Sequence, residues 1–147
     1  MYNDWLANGS VIVATVAAIC LSVLLHYEGL IFTSRRIARL GGLRRTKILY
    51  GIVSVLVLHV CEIWIFGLIL WLLVQWPACG SILPPARHLF DIIYFSATTF
   101  TTVGFGDLAP VGPIRFLSGT EALTGFVLIT WSASFTYLEM ERFWRNP

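Results

Sequence analysis

Between two strongly apolar stretches the chain carries Thr101-Thr102-Val103-Gly104-Phe105-Gly106-Asp107. Two glycines alternate there with Val103 and Phe105, and glycine accepts dihedrals on both sides of zero φ, so successive carbonyls can turn toward one axis. Carbonyl oxygens arranged in this way replace the water shell of a dehydrated cation, and the Thr102 hydroxyl adds a ligand at the inner end. Thr102, Val103, Gly104, Phe105 and Gly106 are therefore the candidate ion-coordinating residues, with their side chains turned away from the ions. Non-helical backbone of this kind is tolerated at membrane depth only where protein or a water-filled path surrounds it. That condition restricts the folds open to the chain.

Composition agrees with a membrane setting: 57% of residues are hydrophobic and 12% charged, with a mean hydropathy of +0.78, which is unusual for a small soluble domain. Crossing a hydrocarbon core of about 30 Å takes roughly 20 helical residues. The apolar stretches 10–32, 48–76 and 114–138 meet that length, and the second exceeds it, so it is expected to tilt or to reach into the outer interface. The first is read as a retained helix rather than a signal peptide, because residues 1–9 hold no Lys or Arg. The loop 33–47 holds Arg35, Arg36, Arg39, Arg44, Arg45 and Lys47 and no acidic residue, which places it in the cytoplasm. The expected protein is a multi-pass cell-membrane protein with the N-terminus outside and the C-terminus cytoplasmic. Flanked by spans, the basic loop is a topology signal and a candidate contact for anionic lipid heads, not a nucleic-acid site.

Three units are expected: 1–47, an N-terminal transmembrane helix with its basic loop; 48–138, a pore domain; and 139–147, a short cytoplasmic tail, from which no ligand-binding gate is expected. Cys20 and Cys61 fall within spans and are expected to be buried. Cys79 is expected outside, free or bridged to its counterpart in another subunit. Prolines and a glycine over 76–89 suggest a short outer turret. After it, 86–100 suits a short re-entrant helix with Asp91 near its positive end, and its negative end is aimed at the cavity below the ion ladder.

Phe95-Ser96-Ala97-Thr98-Thr99-Phe100 continuing into Thr101-Thr102-Val103-Gly104-Phe105-Gly106-Asp107 and Leu108-Ala109-Pro110 resembles the pore signature of the tetrameric potassium channel superfamily. The resemblance covers about 48–138 and leaves out 1–47. It implies an all-α membrane protein of three transmembrane helices plus a re-entrant pore helix and selectivity filter, four chains around one axis, and passive conduction selective for K⁺. Thr102 to Gly106 match the family's ion-coordinating positions, and Asp107 matches the acidic residue bracing the outer end. Many relatives have Tyr at Phe105 and a tryptophan pair at Tyr94 and Phe95. Phe105 has no hydroxyl to bond, and Tyr94 is expected to take over the bond to Asp107. The filter is thus expected to be braced, and to inactivate, differently, a difference to be read in Phe105→Tyr and Phe95→Trp variants.

In the third apolar stretch Gly125 matches a family hinge, or else permits close helix packing. Candidate pore-lining residues are Phe126, Ile129 or Thr130, Ala133 or Ser134, and Tyr137, with Tyr137 as an inner constriction. Charged residues in spans are costly. Glu62, with His59 one turn before it, is expected either to bond pore-helix hydroxyls such as Ser96, Thr98 or Thr99 and tune gating, or to be a purely structural carboxyl. Glu121 is expected to brace the filter through Arg87 or Arg115, and His26 to be solvated near the cytoplasmic interface. Voltage sensing is not expected, since the first stretch lacks regularly spaced arginines. No nucleophile with a neighbouring base, phosphate-cradling loop or metal-ligand cluster is recognisable, so neither an enzyme nor a cofactor other than K⁺ itself is expected. The alternatives are a subunit of a potassium uptake transporter and a nonconducting regulatory subunit.

Overall fold

A computed structural model describes residues 4–41, 44–86 and 88–145, with backbone alone for 143–145. The elements run α1 (Trp5–Arg39), α2 (Arg44–Val74), a 3₁₀ turn (Pro77–Cys79), β1 (Ser81–Leu83), α3 (Leu89–Phe100), β2 (Ala109–Val111) and α4 (Ile114–Arg145). Asp4 caps α1, its carboxylate accepting the backbone N–H of Leu6 at 3.1 Å and of Ala7 at 3.2 Å. The buried residues of α1 are Ala7, Val11, Thr15, Ala18, Ser22, His26, Leu30, Thr33 and Ile37, a single stripe at helical spacing. Six of those nine are small or polar, while the large apolar Val13, Leu21 and Leu24 are exposed. A water-soluble helix has the reverse arrangement.

Helices α1 and α2 are long and apolar enough to cross a membrane, and only 28% of the most apolar window of each is buried within the chain. The core helix of a soluble protein would be covered on most of that window. Helix α4 is equally long but more polar. α1 packs on α2 and α4 of its own chain, and the short α3 is wedged between α2 and α4. The core where they meet includes Phe66, Leu70, Ile92, Phe95, Phe100, Ile114, Leu117 and Leu128.

Basic residues mark where the apolar span ends, but they do not end the helix. α1 runs through Arg39 and α2 begins at Arg44, so most of the expected loop 33–47 is helical and a 47/48 boundary falls inside α2. Arg and Lys are good helix formers whose long stems can lie along apolar surface, which explains the extension. The re-entrant helix begins at Leu89, three residues later than expected.

An all-α description also misses a small antiparallel ribbon at the outer end, with Ser81 opposite Val111, Ile82 opposite Pro110 and Leu83 opposite Ala109. Ile82 is buried, and so is the Cys79 thiol, which sits 3.7 Å from the Ser10 hydroxyl of α1. Cys20 and Cys61, expected to be buried, are exposed, because the thiols fall on the faces of α1 and α2 that no other helix covers.

Candidate functional site

Helix α3 does not stop abruptly; its end feeds the segment that follows. Thr101 N–H bonds the Ala97 carbonyl at 3.1 Å, Thr102 N–H the Thr99 carbonyl at 2.9 Å, and Gly104 N–H reaches back to the Thr98 carbonyl at 3.1 Å. The Thr98 hydroxyl bonds the Phe95 carbonyl at 3.0 Å. Beyond this collar, φ is +61° at Thr102, +50° at Gly104 and +80° at Gly106, and it is not positive at Val103 or Phe105. Every second residue is therefore left-handed. For a β-branched residue such as Thr102 that conformation is an outlier, of a kind that clusters at functional sites. The sequence pointed to the glycines and gave no sign of the Thr102 geometry. Val103 and Phe105 are 55% and 71% exposed, so this chain alone leaves the segment uncovered.

The Tyr94 hydroxyl lies near enough to the Asp107 carboxylate to interact with it, relating α3 to the outer end of the segment. Phe95 is buried in the core. Behind α3, Ser96 Oγ lies 2.9 Å from the Ile63 carbonyl of α2 and hydrogen-bonds Glu121 Oε1 of α4. Glu121 is fully buried, and its Oε2 has no partner among the described residues. Its partner is thus Ser96, not Arg115, because the carboxylate faces α3; Arg87 lies outside the described residues. One turn below, a Cβ on Gly125 would sit 2.0 Å from the Phe100 carbonyl oxygen. Gly125 is a close-packing residue holding α4 against the end of α3.

Glu62 makes no bond to the pore-helix hydroxyls. Its Oε1 bonds His26 Nδ1 at 2.7 Å and its Oε2 bonds His59 Nδ1 at 2.8 Å. His26, expected to be solvated, has no exposed surface, and its Nε2 is 3.4 Å from Ser132 Oγ of α4. The clue lay in the stripe of α1, where Thr15, Ser22, His26 and Thr33 recur at helical spacing. Finding His26's partner required the packing of α1. On α4, the buried face runs through Ile114, Leu117, Glu121, Thr124, Leu128 and Ser132. At about 100° per residue, Thr130 lies opposite Glu121, with Tyr137 and Phe126 beside it on one side, within about 40°. Ile129 and Ala133 turn toward α2 and line a groove there, which Tyr137 also reaches. Ser134 is exposed, as are all of these candidates except Gly125.

A family profile described as an ion channel matches residues 54–140, more than half of the chain. The inward rectifier potassium channel Kirbac3.1 of Paramagnetospirillum magnetotacticum is 37% identical over 68 residues, covering 44% of this chain and 23% of that protein. Protein LctB of Bacillus caldotenax is 40% identical over 40 residues, covering 27% of this chain and 30% of its own length. Protein LctB of Geobacillus stearothermophilus is 35% identical over 54 residues, covering 37% and 40%. The chain thus spans less than half the length of the curated relatives it matches, and no solved structure matches it. With an ion channel profile running from α2 through the left-handed alternation into the last turns of α4, and with apolar helices of membrane length, the chain belongs to the ion channel family.

Proposed function

We propose that this chain is one of four identical subunits of a K⁺-selective channel, with Thr102 to Gly106 as its selectivity filter. The observation that carries the reading is the positive φ at Thr102, Gly104 and Gly106 alternating with Val103 and Phe105. Alternate handedness turns successive carbonyls to one side, and rings of carbonyls contributed by several chains replace the hydration shell of K⁺. Exposure of the segment in the single chain fits a position where neighbouring copies meet. The name of the Kirbac3.1 relative, an inward rectifier potassium channel, agrees in ion.

In this reading α4 is a third span and the inner helix, with Phe126, Thr130 and Tyr137 toward the conduction path. α3 is the pore helix, its C-terminal dipole aimed at the cavity. The Tyr94–Asp107 contact braces the outer mouth, and Glu121 braces the pore helix from behind. The N-terminus lies outside and the C-terminus in the cytoplasm. The basic residues joining α1 to α2 face the cytoplasmic leaflet, where anionic lipid heads are their natural partners.

The test is K⁺ flux against Na⁺ flux in liposomes containing the purified protein, with Gly104→Ala as the control. Within one chain no described atom lies within 4 Å of a Cβ at Gly104, so inside the subunit the substitution acts through the left-handed backbone, at about 1–2 kcal/mol per chain. K⁺-selective flux abolished in the variant is the expected result. Equal K⁺ and Na⁺ flux would refute selectivity.

A further inference from the structure

We propose that His26, His59 and Glu62 bind a divalent transition-metal ion of the zinc class where α1, α2 and α4 meet. The inference goes beyond the channel reading and does not depend on it. Each residue offers a ligand atom, and these atoms lie within 4.8 Å of one another. Two imidazole nitrogens and a carboxylate suit zinc and its neighbours, whereas Mg²⁺ and Ca²⁺ take oxygen ligands. Tetrahedral zinc, with bonds of about 2.0–2.1 Å, holds its ligand atoms roughly 3.3 Å apart. The nitrogen–oxygen contacts of 2.7 and 2.8 Å, made to the two different oxygens of Glu62, must open by about half an ångström, and the widest separation in the cluster, up to 4.8 Å, must close toward that spacing as the side chains turn onto the ion.

The surroundings favour a cation. Glu62 is fully buried in the middle of an apolar helix, where a carboxylate requires a counter-charge. A divalent ion supplies that charge with both histidines neutral, the form in which imidazole ligates metals. Ser132 Oγ stands 3.4 Å from His26 Nε2, the outer-side hydrogen bond that orients a ligating ring. His59, whose side chain is 14% exposed, and Ser132 both line a groove of about 440 Å³ between α2 and α4. That groove is the entry path by which the ion reaches the cluster. Occupation would clamp α1 to α2. It would also stiffen the contact between the His59 and Phe100 rings, whose centroids are 6.0 Å apart, at the root of the Thr102 to Gly106 segment.

The test uses the full chain in detergent, loaded with Zn²⁺, freed of excess and measured for metal content, and separately loaded with Co²⁺ for its absorption spectrum. The expected result is one zinc per chain, with affinity falling more than about 10-fold in His26→Gln and in His59→Gln and unchanged in His88→Gln, all variants eluting as the same oligomer. Co²⁺ on the unaltered protein, which needs no variant to fold, should show tetrahedral ligand-field bands without thiolate charge transfer. No zinc retained by the unaltered protein, a thiolate band, or full zinc affinity in His59→Gln would overturn the proposal.

Discussion

Ser96 shows how much one hydroxyl can organise. It has a single proton and two acceptors, the Ile63 carbonyl on α2 and Glu121 on α4, and so it ties α3 to both long helices at one point. Removing it leaves the buried Glu121 carboxyl with no partner on either oxygen, a loss of about 1–3 kcal/mol. Ser96→Ala is therefore expected to lower the thermal unfolding midpoint in detergent. Ser96→Ala combined with Glu121→Met should recover much of the loss, because removing both polar partners removes the desolvation cost. A double variant as unstable as the single one would show that the pair is not what holds α3. Both residues were recognisable as polar groups in apolar surroundings, but their pairing with each other was not.

Among the elements, the contact of α4 with α3 is governed by the absence of a side chain. At Gly125 a Cβ would meet the Phe100 carbonyl oxygen at 2.0 Å and its carbon at 2.7 Å, backbone atoms that cannot rotate away. Gly125→Ala must push α4 off the end of α3, an overpacking cost of about 1–3 kcal/mol, and is expected to lower the unfolding midpoint and to disturb conduction. Gly119 has open space around it within the chain, and alanine there favours the helix by about 0.5–1 kcal/mol. Gly119→Ala should therefore be neutral or stabilising in the same assay, and a loss would place a neighbouring chain against that position. The sequence left Gly125 open between hinge and packing residue. Only the crossing of α4 over Phe100 shows what the missing Cβ makes possible.

The whole molecule is an inside-out bundle left open on one side. Most of the polar and small residues of α1 face inward while many of its large apolar ones face outward, and Phe90, Val103, Phe105, Phe126 and Tyr137 are exposed although the opposite face of α3 is buried. Lipid can cover the outward faces of α1 and α2, but it cannot satisfy the irregular backbone of 101–108. Further copies of the chain can. Native mass spectrometry in detergent is expected to give a species of four chains of 16.5 kDa each. A monomer, or any closed ring of another size, would sink the four-fold reading.

The sequence by itself determined the features whose causes are local. Glycines at every second position license left-handed backbone, apolar length sets which stretches can cross a bilayer, and clustered arginines mark the end of a span. Tertiary structure alone decided the features whose causes lie far along the chain. His26 meets Glu62 across 36 positions, Ser96 meets Glu121 across 25, and Ser132 meets His26 across 106. Helical spacing fixes which residues share a face. It does not fix which helix that face meets or at what height, because these depend on packing among all four helices at once. The same holds for the outer ribbon, whose three-residue strands are too short to leave a pattern and form only because the chain ends of α2 and α4 bring them side by side.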